Sequence, residues 1–480
     1  MTNKRILVLG GGFAGIDCTR ALESNFKRDK EAEITLVSED NFLLFTPMLP
    51  QVASGMIETR HIVMPTRQLC KKARFYEGKV KNIDPYGKRV TLYGTNEKRG
   101  ISLEYDYLVV ALGSQTNFFG NKSVEIYAYT MKTLNDAVVL RNRIIDMLEQ
   151  AENETDPILR QSLLTFVIVG GGFAGIETAG ELLDFMLDAK KHYPHIYENE
   201  IKVIVLEALP AILPGFSEKL AKFTKDKLIQ RGIDIMLNTL VVNFDGSEVI
   251  IKDAVDPAKT PVKDKTLSSI QTKTMVWTAG VTPTDTIKNS VFKTDRGRII
   301  VNEFLEVPDF PGVYVIGDCS LAINPDTKKP YPPTAQNAEA QGKIAAYNLF
   351  ASVSGSQKKK IEYRSKGQMA IIGKRTGIAS IFGMNIHGIL AWWIWRSVYL
   401  NKIPRGDKRL RVLLDWTADL FFDRDISRLK ILPRHRAKRQ VREGVGASAH
   451  RGDGVLRALQ QIGKGRETGA VAIDQQDRFT

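Results

Sequence analysis

A chain of 480 residues, 43% apolar and 25% charged, has the length for two or three domains and the composition of an ordinary globular protein. Its three cysteines (Cys18, Cys70, Cys319) stand far apart, which argues against a disulfide framework or a spaced zinc site and suits a reducing compartment. The net charge of +14 is uneven, with 14 Lys/Arg against 5 Asp between Arg396 and Arg442, and no apolar run reaches the ~18 residues of a spanning helix.

The first element begins at residue 4, in "KRILVLGGG", with no signal peptide before it. "RILVLGGGFAGIDCTRAL" reads as a short apolar strand, a glycine turn and a helix, with Gly10, Gly12 and Gly15 on the G-x-G-x-x-G spacing. The first glycine permits the tight turn, the second lets a pyrophosphate approach the backbone, and the third lets helix and strand pack closely. The helix that follows presents free N–H groups and a positive dipole end to phosphate. Another strand, "AEITLVSED", comes one βαβ unit later. It ends at Ser38-Glu39-Asp40, and Glu39 is the expected ribose ligand.

The same pattern returns 160 residues on, in "LLTFVIVGGGFAGIETAGEL", with Gly170, Gly172 and Gly175 in the same places. The next strand, "IKVIVLEALP", carries Glu207 at its end. A carboxylate there accepts hydrogen bonds from an adenosine ribose and repels a 2′-phosphate, so NADH is favoured over NADPH. Either turn alone would pass as a tight strand–helix connection. Two copies, each in full context, point instead to two dinucleotide sites. His192 and His195 share a helical spacing, but nothing nearby completes a metal shell, so no metal is expected.

Toward the end, Trp392, Trp393 and Trp395 lie among Ile389, Leu390 and Ile394, and the run stops at Arg396. Leu410 to Phe422 repeats apolar residues near helical spacing, amid Lys and Arg. Amphipathic helices of this composition lie in a membrane interface. A dimer interface or a lid packed on the core is the competing reading, and the two can coexist. Nucleic acid is not expected, because no folded reader motif accompanies the basic charge. Past Pro433 the chain is basic and aperiodic; 433–480 reads as a disordered tail, with a short helix near Val455–Ile462.

Two dinucleotide turns in one chain suggest that one cofactor hands electrons to the other. At this point the sequence resembles the two-dinucleotide-binding-domain flavoproteins. "DYLVVALGS" (Asp106–Ser114), "TMVWTAGVTP" (Thr274–Pro283) and "PGVYVIGDCS" (Pro311–Ser320) look like that superfamily's segments closing each nucleotide domain and its second FAD signature. Four more stretches resemble the type II NADH:quinone oxidoreductases in particular: "NFLLFTPMLPQVASG", "PPTAQNAEAQG", "RSKGQMAIIGKRTGIA", and the segment from Gly388 to Leu429. The resemblance covers roughly residues 4–432.

The resemblance implies an α/β fold with two Rossmann-type domains. A discontinuous FAD domain would span 1–115 and 305–382, with an NADH domain inserted over 160–304 and a membrane-anchoring, dimerising helical region over 383–432. It implies non-covalent FAD near Gly10, Gly12, Phe13, Ala14, Gly15, Glu39, Pro47, Val80, Ala111, Gly113, Gly317, Asp318, Ala335 and Gln336. NADH would lie near Gly170, Gly172, Ala174, Gly175, Glu207, Ala279 and Gly280. Glu177 would supply a proton or position the two substrates, or else only stabilise its helix N-terminus; Gln336 and Lys366 would face flavin and quinone. A homodimer on the cytoplasmic face of the cell membrane, passing electrons from NADH to a ubiquinone- or menaquinone-type acceptor without pumping protons, is the implied whole.

The family usually has a second glutamine at the position of Ala340, and here the glutamine comes one residue later, as Gln341. One residue turns a helical side chain by ~100°, so Gln341 cannot stand in for it, and the quinone pocket is altered or takes another acceptor. A flavoenzyme with a different donor or acceptor therefore stays open, as does a non-catalytic redox-sensing flavoprotein. The superfamily's thiol chemistry is not expected, because the cysteines are unpaired in sequence and suit packing roles.

Overall fold

The structure is a computed structural model and describes residues 3–26, 32–93, 100–254 and 267–428. The expected tail and its helix near Val455–Ile462 lie outside the described residues.

Strand β1 (Lys4–Leu9) runs parallel to β2 (Ala32–Ser38), with helix α1 (Phe13–Asn25) as the crossover. The last four residues of β1 are fully buried, as a strand covered on both faces requires, which is why it reads as an unbroken apolar run. β3 (Arg74–Glu77) continues the sheet beyond β2, and β4 (Tyr107–Val110) pairs on the other side of β1.

The chain then builds a second parallel sheet, with helix α2 (Leu134–Asn153), which opens on a capping box between Thr133 and Asp136, between its first two strands. Its strands are β5 (Tyr129–Thr130), β6 (Thr165–Val169), β7 (Lys202–Leu206), β8 (Ile233–Met236) and β9 (Thr274–Trp277), in the order β5-β9-β6-β7-β8. Helix α3 (Phe173–Ala189) follows β6 as α1 follows β1. Finally β10 (Val313–Val315) returns to pair with β4, giving the first sheet the order β10-β4-β1-β2-β3. The two sheets share one plan, with the glycine-turn strand central in each. Ser114–Thr116 and Val281–Pro283 form an antiparallel ribbon between the segments that leave and re-enter the first sheet.

Helix α4 (Ala335–Ser354) lies across α1, and a Cβ at Gly342 would come within 2.5 Å of the Ala14 carbonyl, so only glycine lets the two backbones meet. An antiparallel sheet follows, β11 (Gln368–Ile371), β12 (Gly377–Ile381) and β13 (Met384–Gly388), then helices α5 (Ile389–Lys402) and α6 (Gly406–Ala418). Among the described residues no helix is long and apolar enough to cross a membrane.

The tryptophan run does not face one way. Trp392 and Trp395 are buried with Trp416 of α6, while Trp393 is 58% exposed beside exposed Ile389 and Leu390. Helical spacing accounts for this: 392, 395, 396 and 399 share the face turned to the core. Arg396 is stacked between Trp392 and Trp416, its guanidinium 3.8 and 4.7 Å from their ring centres. Helix α6 is tied down by Asp415, which accepts from the Glu58 N–H and lies 2.5 Å from His61 Nδ1, and by the Trp416 indole, which donates to Gln51. Its other face leaves Leu410, Leu413 and Leu414 exposed, with Phe421 and Phe422 just beyond.

Candidate functional site

The two glycine turns are built alike. Gly10 has φ +110° and donates its N–H to Val37 O; Gly170 has φ +109° and donates to Leu206 O. A Cβ at Gly15 would strike Gly10 O at 1.9 Å, and one at Gly175 would strike Gly170 O at 1.8 Å, so each helix sits directly on its own turn. At Gly12 and Gly172 an added Cβ would meet no protein atom within 4 Å. Helices α2 and α4 are capped by Thr133 and Thr334, whereas α1 and α3 have neither a capping side chain nor an acid in the first turn. Two helix N-termini are thus left with uncompensated N–H groups beside open space, the arrangement that a pyrophosphate completes. The residues fit dinucleotides at both turns.

A cavity of about 640 Å³ runs along the first turn. Gly10, Gly12, Phe13, Ala14, Glu39, Val80, Ala111, Gly113, Gly317, Asp318 and Ala335 line it; Gly15 lies behind the turn, and Pro47 and Gln336 are not in its lining. Asp318 accepts from Ser114 Oγ at 2.6 Å, and Ser114 in turn accepts from Lys132 Nζ at 2.9 Å.

A second cavity, of about 410 Å³, opens between the two sheets. Pro47, Ala174, Glu177, Gly280, Ala335 and Gln336 line it. Gly170, Gly172, Gly175, Glu207 and Ala279 surround the second turn outside that lining. The Glu207 carboxylate accepts from the Gly171 N–H at 2.5 Å and the Leu209 N–H at 2.8 Å, which fixes it under the turn. Phe13, Thr46, Lys132, Pro333, Thr334 and Ala335 line both cavities, so the two meet, and Lys132 is the charged group at their junction.

Glu177 is enclosed in the wall of the second cavity, where burial pushes its carboxyl up to about 8, against the pull of the Ile371 N–H that donates to it. Glu181, one turn further along α3, is pushed up to about 7 by burial, with Arg424 opposing. Ser54 Oγ donates to Glu181, and Arg424, 2% exposed, sits 3.7 Å from it and 2.7 Å from Asp419. Arg424→Met strips the counter-charge from this buried group and costs about 3–5 kcal/mol. The loss is larger at pH 8 than at pH 5.5, because without Arg424 the Glu181 carboxyl rises further and its stabilising protonated form is lost as pH climbs. Urea unfolding at the two pH values checks both the size and the direction.

Two expected acceptor-site residues fall elsewhere. Lys366 is exposed and Ala340 half-buried, and neither lines the cavity. Gln341 is turned inward, accepting from the Gly317 N–H at 2.7 Å. The wall they were expected to form is made by Gln336 and Glu339 of α4 with Tyr399 and Lys402 of α5. Glu339 lies three residues after Gln336 on the same helix face, a signal already present in "PPTAQNAEAQG". Lys132 sits in no motif, and Lys402, though it falls within the stretch from Gly388 to Leu429, is not singled out there; both become visible only through packing.

The cysteines are inert by placement. All three are buried, and burial pushes the thiols of Cys70 and Cys319 up to about 12 and that of Cys18 upward as well. His192 and His195 lie at the surface beside Asp423 and Glu152.

The family profile described as pyridine nucleotide-disulphide oxidoreductase matches residues 4–342, and that of the NDH2 C-terminal domain matches 365–425. A type II NADH:quinone oxidoreductase of Mycobacterium tuberculosis is 32% identical over 86% of this chain and 87% of its own length. An external NADH-ubiquinone oxidoreductase of Saccharomyces cerevisiae mitochondria is 31% identical over 89% and 83%. In fold, the chain is similar to NDH2 from Plasmodium falciparum solved in complex with NADH, with a TM-score of 0.80 at 21% identity, covering 88% of this chain and 100% of that one.

Proposed function

The chain belongs to the type II NADH:quinone oxidoreductases, within the pyridine nucleotide-disulphide oxidoreductase family, and from that premise we propose that it oxidises NADH and reduces a membrane quinone through non-covalent FAD. The observation that carries the reading is the meeting of two cavities, one along the first glycine turn and one walled by Phe173, Ala174 and Glu177 of the helix that follows the second, at residues that line both. We assign 1–115 and 305–382 to FAD, 160–304 to NADH, 383–432 to membrane attachment and dimerisation, and no role to 433–480.

When bound, FAD supplies the redox chemistry, taking a hydride from NADH and releasing two electrons to the quinone. The first turn, at the N-terminus of α1, would hold the FAD pyrophosphate, Glu39 would take its ribose, and Asp318, fixed by Ser114, would take the region beyond. The second turn holds NADH on α3, and Glu207 takes the ribose without the loss of its own backbone partners. Phe173, Ala174 and Trp277 form the nicotinamide wall, where Glu177 positions the ring. Lys132 places positive charge at the junction and Gln336 faces the acceptor.

The exposed apolar faces of α5 and α6, amid Lys and Arg, suit a peripheral position on the cytoplasmic leaflet, and quinone reduction there needs no spanning helix. The absent amide at Ala340 is the one feature favouring an acceptor other than a common quinone.

Anaerobic stopped-flow mixing of the detergent-solubilised protein with NADH will bleach the flavin, and a short-chain ubiquinone or menaquinone will restore it. Bleaching without recovery by any quinone overturns the acceptor; no bleaching overturns the second turn's assignment. In Glu207→Gln the preference for NADH over NADPH, as a ratio of kcat/KM, falls roughly tenfold or more, since a 2′-phosphate no longer meets a carboxylate.

A further inference from the structure

The second cavity has two walls with different owners. Phe173 and Ala174 open the helix after the second glycine turn, and Trp277 and Gly280 lie at the end of the neighbouring strand β9, so the nicotinamide end is accounted for. The facing wall, from α4 and α5, is claimed by neither nucleotide turn: Gln336, Glu339, Tyr399 and Lys402. If the reading above holds, this is where the acceptor rests, and the same helix α5 carries the exposed Ile389, Leu390 and Trp393.

The stoichiometry of the reaction leaves one requirement open. NADH brings two electrons and one proton as a hydride, while a quinone becoming a quinol needs two electrons and two protons. One proton must come from water through the protein.

The candidates on that wall are few. Gln336 is an amide and cannot give up a proton; its contacts to Gly367 O and the Tyr363 hydroxyl are long, at 3.4 and 3.5 Å, so it is free to turn to a ligand. Burial pushes the phenol of Tyr399 well above its ordinary range. Lys402 ends α5 and brings a positive charge to the same wall.

We propose that Glu339 is the proton donor of the acceptor site, and that Lys402 stabilises the carboxylate left behind. The Glu339 proton passes to a quinone oxygen as the quinone takes up the two electrons that NADH supplies, the O–H bond of Glu339 breaking and that of the quinol forming. Bulk solvent then returns a proton to Glu339.

Three observations support this. Desolvation holds the Glu339 carboxyl above its ordinary range, with Lys402 the strongest opposing charge. The other charges facing it are Asp17 on α1, Lys343 on its own helix and Lys366 before β11, with the phenols of Tyr363 and Tyr399 as further titratable neighbours. Lys343 is bound to Asp17 at 3.5 Å, whereas Lys402 has no acid within ion-pair distance among the described residues and is available to a newly formed carboxylate. The carboxyl is also only half-buried, so a path to solvent exists.

The test compares two acceptors in the full-length holoprotein. A short-chain ubiquinone takes protons with its electrons; ferricyanide takes electrons alone. In Glu339→Gln the ratio of quinone to ferricyanide turnover falls roughly a hundredfold, and the fall in quinone rate toward alkaline pH, present in the wild type, disappears. Glu339→Asp restores part of the rate together with the pH dependence, and Lys402→Met moves that dependence to higher pH. An unchanged ratio and pH profile in Glu339→Gln overturns the proposal. A wild-type protein that turns over ferricyanide but no quinone overturns instead the functional reading on which it rests.

Discussion

Gly172→Val will yield a yellow protein that NADH does not bleach, and Gly12→Val will yield a folded protein without flavin. The two substitutions are the same lesion in two copies of one device. Both glycines stand just before a helix at φ near −80°, which any residue adopts, and neither has a protein atom where the new Cβ would go. The fold therefore loses little, and both variants should melt within about 3 °C of the wild type once each is compared without ligand. What is lost is the space that a pyrophosphate backbone needs to reach the uncapped N–H groups. Each phosphate contact forgone weakens binding by about 1.5–3 kcal/mol, so two such contacts remove roughly two to four orders of magnitude of affinity. Substitution at Gly15 or Gly175 would be uninformative by comparison, because the Cβ strikes the turn itself and the helix must move. Flavin absorbance of the purified variants and stopped-flow bleaching decide the matter. If Gly12→Val keeps its flavin while Gly172→Val loses it, the assignment of the two turns is reversed.

That such a pair can be designed reflects how local the nucleotide turns are. Strand, turn and helix are contiguous, each glycine is required by its own immediate geometry, and β1 and β6 are buried on both faces and so read as apolar runs. Nothing distant has to be known to place Gly10 or Gly170. The acceptor wall is the opposite case. Lys366 sits in a motif-like stretch, but the chain turns at Gly367 with φ +124° and it is the backbone neighbours Ser365 and Gly367 that line the cavity. Lys402 ends a helix whose place depends on Gly377 letting the backbone of Trp392 approach β12. No periodicity in the sequence carries that information. The tryptophans show the same limit from another side: composition marks α5 as membrane-like, yet which ring meets the core is decided by helix phase against β11–β13. Motifs made within one βαβ unit are readable; surfaces made by three separate segments are not.

Glu177 is a middle case, since its position after the second turn is legible but its protonation depends on the whole cavity. A carboxyl that titrates at 4.5 in the unfolded chain and at about 8 in the fold keeps an extra proton between those values. Its contribution to stability is therefore complete below pH 4.5 and declines as pH rises to about 8. Allowing for the open side of the cavity, the decline is on the order of 1–2 kcal/mol, and Glu177→Gln, which cannot ionise, should be the more stable protein at pH 9 and an equal one at pH 4.5. The same ionisation governs the reductive half-reaction. At neutral pH the neutral carboxyl can donate to the nicotinamide while Ile371 N–H holds its other oxygen. Above about 8 the group is a carboxylate that can no longer donate to the nicotinamide, so one of the contacts that hold the ring is lost. Flavin bleaching by NADH in the wild type should thus slow roughly tenfold between pH 7 and 9.5. Glu177→Gln should stay within a few-fold of the wild type at pH 7 and keep its rate at pH 9.5, since an amide both donates and accepts. Glu177→Ala leaves the Ile371 N–H unpartnered and the ring unheld, and should lose roughly a hundredfold at every pH. Should the glutamine variant be as slow as the alanine one, Glu177 gives up a proton rather than positioning the ring. The proton needed for the quinol would then have a source on the nicotinamide wall, and the ratio measured for Glu339→Gln would have to be unchanged. The two glutamine variants, run on the same instrument with the same two acceptors, separate the two walls of one cavity.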